Sequence, residues 1–451
     1  MKRDVTALIH FYSKLTESTQ VIWYKMEPTD DVIAMFTRIN MGKISLTNSE
    51  LVKALLLSDS HLKVTPDKSL PETERRIIQE REIEQIRLKK REIAGEWDQM
   101  EHEFQQDEFW YFLHNERKAY ATRIDWLLDA HAQRLNASFD IEHRVVSENE
   151  PFFTFLVFQE ALRQAKEAKQ DTRDIIQTIW SDVKQLFMTF QEWYRDRKLY
   201  HLIGYLVTQN TSIINLHSET RLLGKKLFMR ELLRRIRLTL PESISSLDYE
   251  KSKDKSKIRS VLLLFNIWTL LRDKKSNSLF EFSRFKKEKW DIEHIHAVTS
   301  TFETFEEQKE FLEAVLLDSA LIEDDVLVTD IQTLNNTFFT PDQFAIIHER
   351  IITAFADSAS MNHLSNLILI DAKTNRSYKN APFYKKRAEI IQIDRTGRFI
   401  PLCTRNVFLK YYTTSLQQMT HWGFDDRRSY FEAIETIMTD IQKSEGGHLD
   451  E

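Results

Sequence analysis

The chain carries a single cysteine, Cys403, and only eight glycines and eight prolines in 451 residues. One cysteine excludes an intramolecular disulfide framework and fits a reducing compartment, so a cytoplasmic location is expected. Average usage is about 7% glycine and about 5% proline, and the scarcity of both predicts long helices joined by few tight turns. Basic charge is also short: the net charge is −6 and the pI near 6.2. That excludes a generally basic DNA-coating protein and confines any nucleic-acid contact to a local patch. No apolar run approaches the roughly 18 residues of a membrane span. The opening MKRDVTALIHFY has no signal-peptide core followed by a small-residue cleavage site. No membrane is therefore expected among the partners. What is present is apolar mass. A hydrophobic fraction of 42%, with 29 Phe and 9 Trp, supports ordinary cores in two or three domains of a mainly helical chain.

Chemistry concentrates in Trp290–Ser300, WDIEHIHAVTS, where a carboxylate and an imidazole, Glu293 and His294, are adjacent. Ile292, His294 and His296 alternate with Glu293, Ile295 and Ala297, which predicts a strand. Adjacent strand side chains point to opposite faces, so Glu293 and His294 meet one reaction centre only where the strand twists or bends. Three readings fit these residues. A His-x-His pair opens a zinc site, but zinc needs further ligands at suitable spacing and the only cysteine, Cys403, is remote. A histidine general base beside an acidic ligand for a hard divalent ion is the second. The third is a buried strand with one satisfied histidine.

A second segment, Asn362–Ile391, NHLSNLILIDAKTNRSYKNAPFYKKRAEII, favours the acid-and-base reading. Asn366 precedes the apolar run Leu367–Ile370, Asn375 follows in a polar turn, and Phe383, Lys386 and Arg387 open a helix. Together the two segments resemble the HNH, or ββα-metal, nucleases. The resemblance implies that Glu293 is a metal ligand, His294 the general base, and Asn366 the asparagine that holds the hairpin. It makes Asn375 the second metal ligand, with Asn380 as its rival. Many members have proline where Ala297 stands. More specifically, WDIEHIHA, SNLILI and the pattern of Asn375, Phe383, Lys386 and Arg387 resemble the C-terminal nuclease domain of GmrSD-type restriction enzymes, modification-dependent defence enzymes of bacteria. The likeness implies Mg²⁺ or Mn²⁺ as cofactor and DNA as partner, with Lys386 and Arg387 steadying the phosphate.

Nearer the N-terminus, residues 21–57 predict a strand at Val21–Met26, a helix, a loop at Asn40–Gly42, and a second helix. Thr47 or Asn48 caps that helix, with Glu50 in its first turn. Phe36, Arg38, Asn40, Gly42, Leu46 and Glu50 are similar to the closing motif of the ParB-like sensor and NTPase domain of the same restriction enzymes. The Asp-Gly-Gln-Gln-Arg stretch of that domain does not occur in the sequence. Residues 1–58 are thus expected to be a remnant, from truncation or a split gene. A separate polypeptide would supply the missing half, and this chain alone would have no triphosphatase activity.

Residues 59–285 are expected to form a helical middle domain. Glu74–Phe104 is a charged helix in which Ile93, Trp97, Met100 and Phe104 recur at spacings of four, three and four. Phe109, Trp110, Phe112 and Leu113 read as core. Lys226, Arg230 and Arg234 form one helical stripe that either meets DNA phosphates or is a solvated face. Lys251–Arg259 reads as a loop before the buried helix VLLLFNIW, and Arg284, Lys286, Lys287 and Lys289 lead into the motif strand. Within residues 286–445, the expected nuclease domain, a helical insertion with a Thr304–Glu307 capping box separates the two motif segments. Segments 401–413 and 421–438 close the chain as a helix pair.

The expected architecture is mainly α, a helical middle region with a C-terminal α+β nuclease domain of the HNH type. The expected activity is divalent-metal-dependent hydrolysis of DNA phosphodiesters in a restriction or anti-phage system. The rival class is a catalytically inactive helical scaffold of a defence complex.

Overall fold

Helical spacing with few turn residues yields a chain that is mostly helix, with one two-stranded sheet among the described residues. The computed structural model describes residues 10–20, 46–58, 69, 71–115, 119–139, 147, 149–296, 302, 304–317, 324–355, 361–378, 381–413 and 421–444. The expected strand Val21–Met26 and the loop Asn40–Gly42 lie outside them. Helix α1 (Asn48–Leu56) starts at a capping box. Thr47 Oγ1 accepts from the Glu50 amide at 3.2 Å, and the Glu50 carboxylate accepts from the Thr47 amide at 2.8 Å. Two amides of the first turn are thereby satisfied.

Helix α2 (Glu72–Gln105) buries Ile93, Trp97, Met100 and Phe104, the expected stripe. Trp97 stacks on Trp180 with centroids 5.7 Å apart, and the Trp180 indole donates to the Glu96 carboxylate at 2.6 Å. On α3 (Asp107–Leu113), Phe109, Trp110, Phe112 and Leu113 are all buried. A helical bundle follows: α4 (Arg123–Ser138), α5 (Phe153–Glu167), α6 (Thr172–Arg195), α7 (Arg197–Thr208), α8 (Ile213–Thr220), α9 (Lys225–Leu238) and α10 (Ser252–Arg272). Here α4 packs on α5, α5 on α6, α6 on α7, and α7 on both α9 and α10. Residues 252–259, expected as a loop, form the first two turns of α10. Asp254 and Ile258 face inward one turn apart while Lys253, Lys255 and Lys257 are exposed, so a polar composition conceals an amphipathic start.

Helix α11 (Phe282–Lys287) fastens strand β1 (Trp290–His294) to this bundle. The buried His201 on α7 accepts the Phe280 amide at Nε2, 3.1 Å away, and donates from Nδ1 to the Arg197 carbonyl at 2.7 Å. Those two partners fix its tautomer, and burial pushes its pKa down to about 4. Lys286 turns its ammonium onto the carbonyls of Tyr111 and His114 at the end of α3, where helix carbonyls need donors. Burial pulls its pKa down to about 7. Gly204 on α7 lets the Phe282 ring lie against the helix, for a Cβ there would stand 2.2 Å from the ring. Gly204→Ala is therefore expected to destabilise by about 1–3 kcal/mol through overpacking. Gly95→Ala, whose added Cβ meets nothing within 4 Å, should be neutral or stabilise by up to ~1 kcal/mol. Denaturant midpoints of the two variants check this; equal midpoints would mean that Phe282 yields without cost.

Strand β1 pairs antiparallel with β2 (Leu367–Asp371), Trp290 opposite Asp371 and His294 opposite Leu367. Main-chain bonds from Ile295 to the Asn366 carbonyl (2.8 Å) and from Ala372 to the Lys289 carbonyl (2.6 Å) extend the ladder at both ends. By the alternation of antiparallel pairs, the carbonyls of Trp290, His294, Leu367 and Leu369 then point outward. Side chains take all four: Arg259 on Trp290, Lys386 on His294 (2.7 Å), Tyr430 on Leu367 (3.1 Å) and Thr404 on Leu369 (2.7 Å).

Between the strands lies the insertion, α12 (Phe305–Leu317), α13 (Asp325–Asn335) and α14 (Pro341–Phe355). Thr304 and Glu307 make the expected capping contacts at 3.2 and 3.3 Å. Phe311, Leu312, Val315, Leu327, Ile331 and Phe344 belong to an apolar core separate from the main one. The main core, by contrast, runs without a break from the bundle into the strands and closing helices. After β2 come α15 (Ala372–Tyr378), packed on both strands, then α16 (Phe383–Arg395), α17 (Leu402–Phe408) and α18 (Phe424–Lys443). The last two are the expected closing pair; α17 and α10 pack on β2, and α18 packs on α10. Among the described residues no helix is long and apolar enough to cross a membrane.

Candidate active site

The site forms where β1 ends. Strand geometry stops at His294 and the chain bends through Ile295 and His296, so the expected alternation does not extend to His296. Asn366, fully buried, closes this bend. Its Oδ1 accepts the His296 amide at 2.9 Å, and its Nδ2 donates to the carbonyls of His296 (3.0 Å) and Met361 (2.9 Å). One carboxamide thus ties the end of β1 to the start of β2.

His294 is half-buried, with its ring set by two neighbours that sequence reasoning did not single out. Nε2 lies 2.9 Å from Asn362 Oδ1, and the Tyr249 ring meets the imidazole edge-on at 5.2 Å. The Asn362 carbonyl in turn accepts the Tyr249 amide at 2.9 Å. With the carboxamide oxygen toward the ring, Nε2 carries the proton and Nδ1 keeps its lone pair. Burial moves the His294 pKa below the ordinary imidazole value, against the opposing pull of Asn362 and Glu293. Asn362 opens the second motif segment and lies four residues before Asn366, a spacing that could have flagged it. No pattern in the sequence links Tyr249 to the strand.

Glu293 points to Lys386. The Lys386 ammonium is fully enclosed, 2.6 Å from Glu293 Oε1 and 2.7 Å from the His294 carbonyl. Burial lowers its pKa, opposed by the Glu293 charge. Lys386 therefore sits behind the strand rather than standing free toward a phosphate. Arg387 donates from Nε to the Phe408 carbonyl at 2.9 Å, which pins α16 to the end of α17. Asn375 lies on α15 rather than in a polar turn, because Asp371 caps that helix through the Thr374 amide at 3.0 Å. It is half-buried on a helix that packs against both strands. Its rival, Asn380, lies outside the described residues. The basic stripe lies on α9, which packs on α7 and α18. Lys226, Arg230 and Arg234 are all exposed, and Arg234 is held by Glu231 through two contacts of 2.7 Å.

Among the described residues no group of three or more His, Cys, Asp or Glu side chains is placed to hold a metal. The ligands that the resemblance implies, the Glu293 carboxylate and the Asn375 carboxamide, are both oxygen donors, and water and phosphate oxygens would have to complete the set. That donor set fits a hard ion such as Mg²⁺, which keeps much of its water when bound. Comparison with family models, curated proteins and solved structures gives no match to this chain.

Proposed function

We propose that this chain is an HNH-type DNA endonuclease dependent on Mg²⁺ or Mn²⁺, working in a restriction or anti-phage system. The observation that carries the reading is the end of β1. There one asparagine clamps the bend and another holds the His294 ring, next in sequence to the Glu293 carboxylate and ahead of a helix that bears Asn375. A neutral imidazole with Nε2 occupied by Asn362 leaves Nδ1 to take the proton of the attacking water. The water oxygen bonds to phosphorus as the bond to the leaving oxygen breaks. When bound, the divalent ion supplies Lewis-acid stabilisation of the charge developing on the phosphate. Glu293 and Asn375 are the residues that would hold it. Lys226 and Arg230, exposed on α9, offer the local cationic contact with the DNA backbone that an acidic protein needs.

Incubating the purified chain with supercoiled plasmid, with and without Mg²⁺ or Mn²⁺, tests this. Nicking that requires the ion supports the nuclease. A folded protein inert with both ions favours the second reading, an inactive helical scaffold of a defence complex. One observation favours that reading, namely the Lys386 ammonium on the Glu293 carboxylate. The pH profile adds a check. Only the neutral ring accepts a proton, so activity should rise with pH through a midpoint below the ordinary imidazole value of 6.5. A profile with no acid limb would remove His294 from the role of base.

A further inference from the structure

Glu293, the carboxylate read above as a ligand for a divalent ion, already holds a cation. Lys386 approaches Oε1 at 2.6 Å, is itself fully enclosed, and leaves the Glu293 side chain only 15% exposed. Charges paired out of bulk water attract each other far more strongly than an exposed pair, and losing one partner leaves the other uncompensated. The ammonium is also held in place. Its second acceptor is the outward carbonyl of His294, and its helix is fixed by Phe383 stacked on Phe408 and by Arg387 on the Phe408 carbonyl. Lysine is a compact point charge on a flexible stem, so it neutralises a carboxylate without filling a ligand set.

We propose that Lys386 is an internal counter-ion that holds the Glu293 carboxylate in the resting protein and competes with the divalent ion for it, so that the ion loads with the substrate phosphate rather than ahead of it. The inference rests on the reading of this site as a metal-dependent nuclease. The charges make the case. Glu293 and Lys386 sum to zero, so the pair itself offers a divalent ion entering alone no net attraction and sets the ammonium beside it; among the described residues, the remaining negative charge felt nearby comes from Glu250 and Asp291. A DNA phosphate brings negative charge to the same place and restores the balance. Asn375 adds an oxygen ligand but no charge, and so does not alter the sum.

Calorimetric titration of Mn²⁺ into the whole protein, without DNA, tests this on the wild type, Lys386→Met, Lys386→Gln and Glu293→Gln. Both lysine variants should bind Mn²⁺ at least ~10-fold more tightly than the wild type, a gain of about 1.4 kcal/mol. Glu293→Gln should abolish the binding. Should Lys386→Met lack a native thermal melt, Lys386→Gln, which keeps a donor toward the His294 carbonyl, carries the comparison. Wild-type binding that depends on Glu293 but is unchanged or weaker in the folded lysine variants overturns the counter-ion role and leaves the nuclease reading standing. No Mn²⁺ binding in any folded variant, the lysine variants included, overturns the counter-ion role, while the plasmid assay, run with DNA present, decides the nuclease reading separately.

Discussion

His294→Ala is expected to reduce metal-dependent DNA cleavage by about 10²–10⁴-fold, the usual contribution of a positioned general base. Thermal stability should hardly move. The side chain is half-buried, and among the described residues it is held by a hydrogen bond to Asn362 and an edge contact with Tyr249. Losing them costs about 1 kcal/mol, a small part of what holds the strand in place. Parallel measurement of plasmid nicking and thermal unfolding separates the two quantities. If stability falls together with activity, the ring is a buried structural histidine and the base lies elsewhere.

Asn366→Ala should do the opposite, removing activity by removing structure. The Asn366 carboxamide satisfies three backbone groups, the amide and carbonyl of His296 and the carbonyl of Met361, in a fully buried setting. A buried polar group left without its partner costs about 1–3 kcal/mol. Three together predict a loss of roughly 3–5 kcal/mol, which is exceptional for one substitution. Denaturant unfolding with two probes, one of them tryptophan fluorescence, measures it. A loss below ~1 kcal/mol would mean that the bend keeps its shape without the clamp.

Much of this was legible in the chain before folding, and the reasons differ by element. Trp97 and Phe104 announced their burial because a helix repeats and they lie on one stripe. The capping residues Thr47 and Thr304 did so because their partners, Glu50 and Glu307, stand three positions on. Strand β2 was legible as an apolar run, whereas Asn366 was singled out by the resemblance and not by the pattern itself. Long-range partners were not. Asn362 meets His294 across 68 residues and Lys386 meets Glu293 across 93. No local periodicity encodes such pairs. Lys386 and Arg387 read as cations near a phosphate because a sequence displays charge but not enclosure. Residues 252–259 were mistaken for a loop because their lysines outnumber the two inward side chains, Asp254 and Ile258.

The insertion has a consequence for the order of folding. Strand β1 ends at His294 and β2 begins at Leu367, so pairing them requires closing a loop of about seventy residues, at an entropic cost that grows with the logarithm of its length. The intervening helices carry a core of their own. Condensation of that core ahead of the sheet would shorten the effective loop that the strands have to close. The sheet is therefore expected to zip last, after the helices that separate its halves, with Asn366 closing the junction as its final turn.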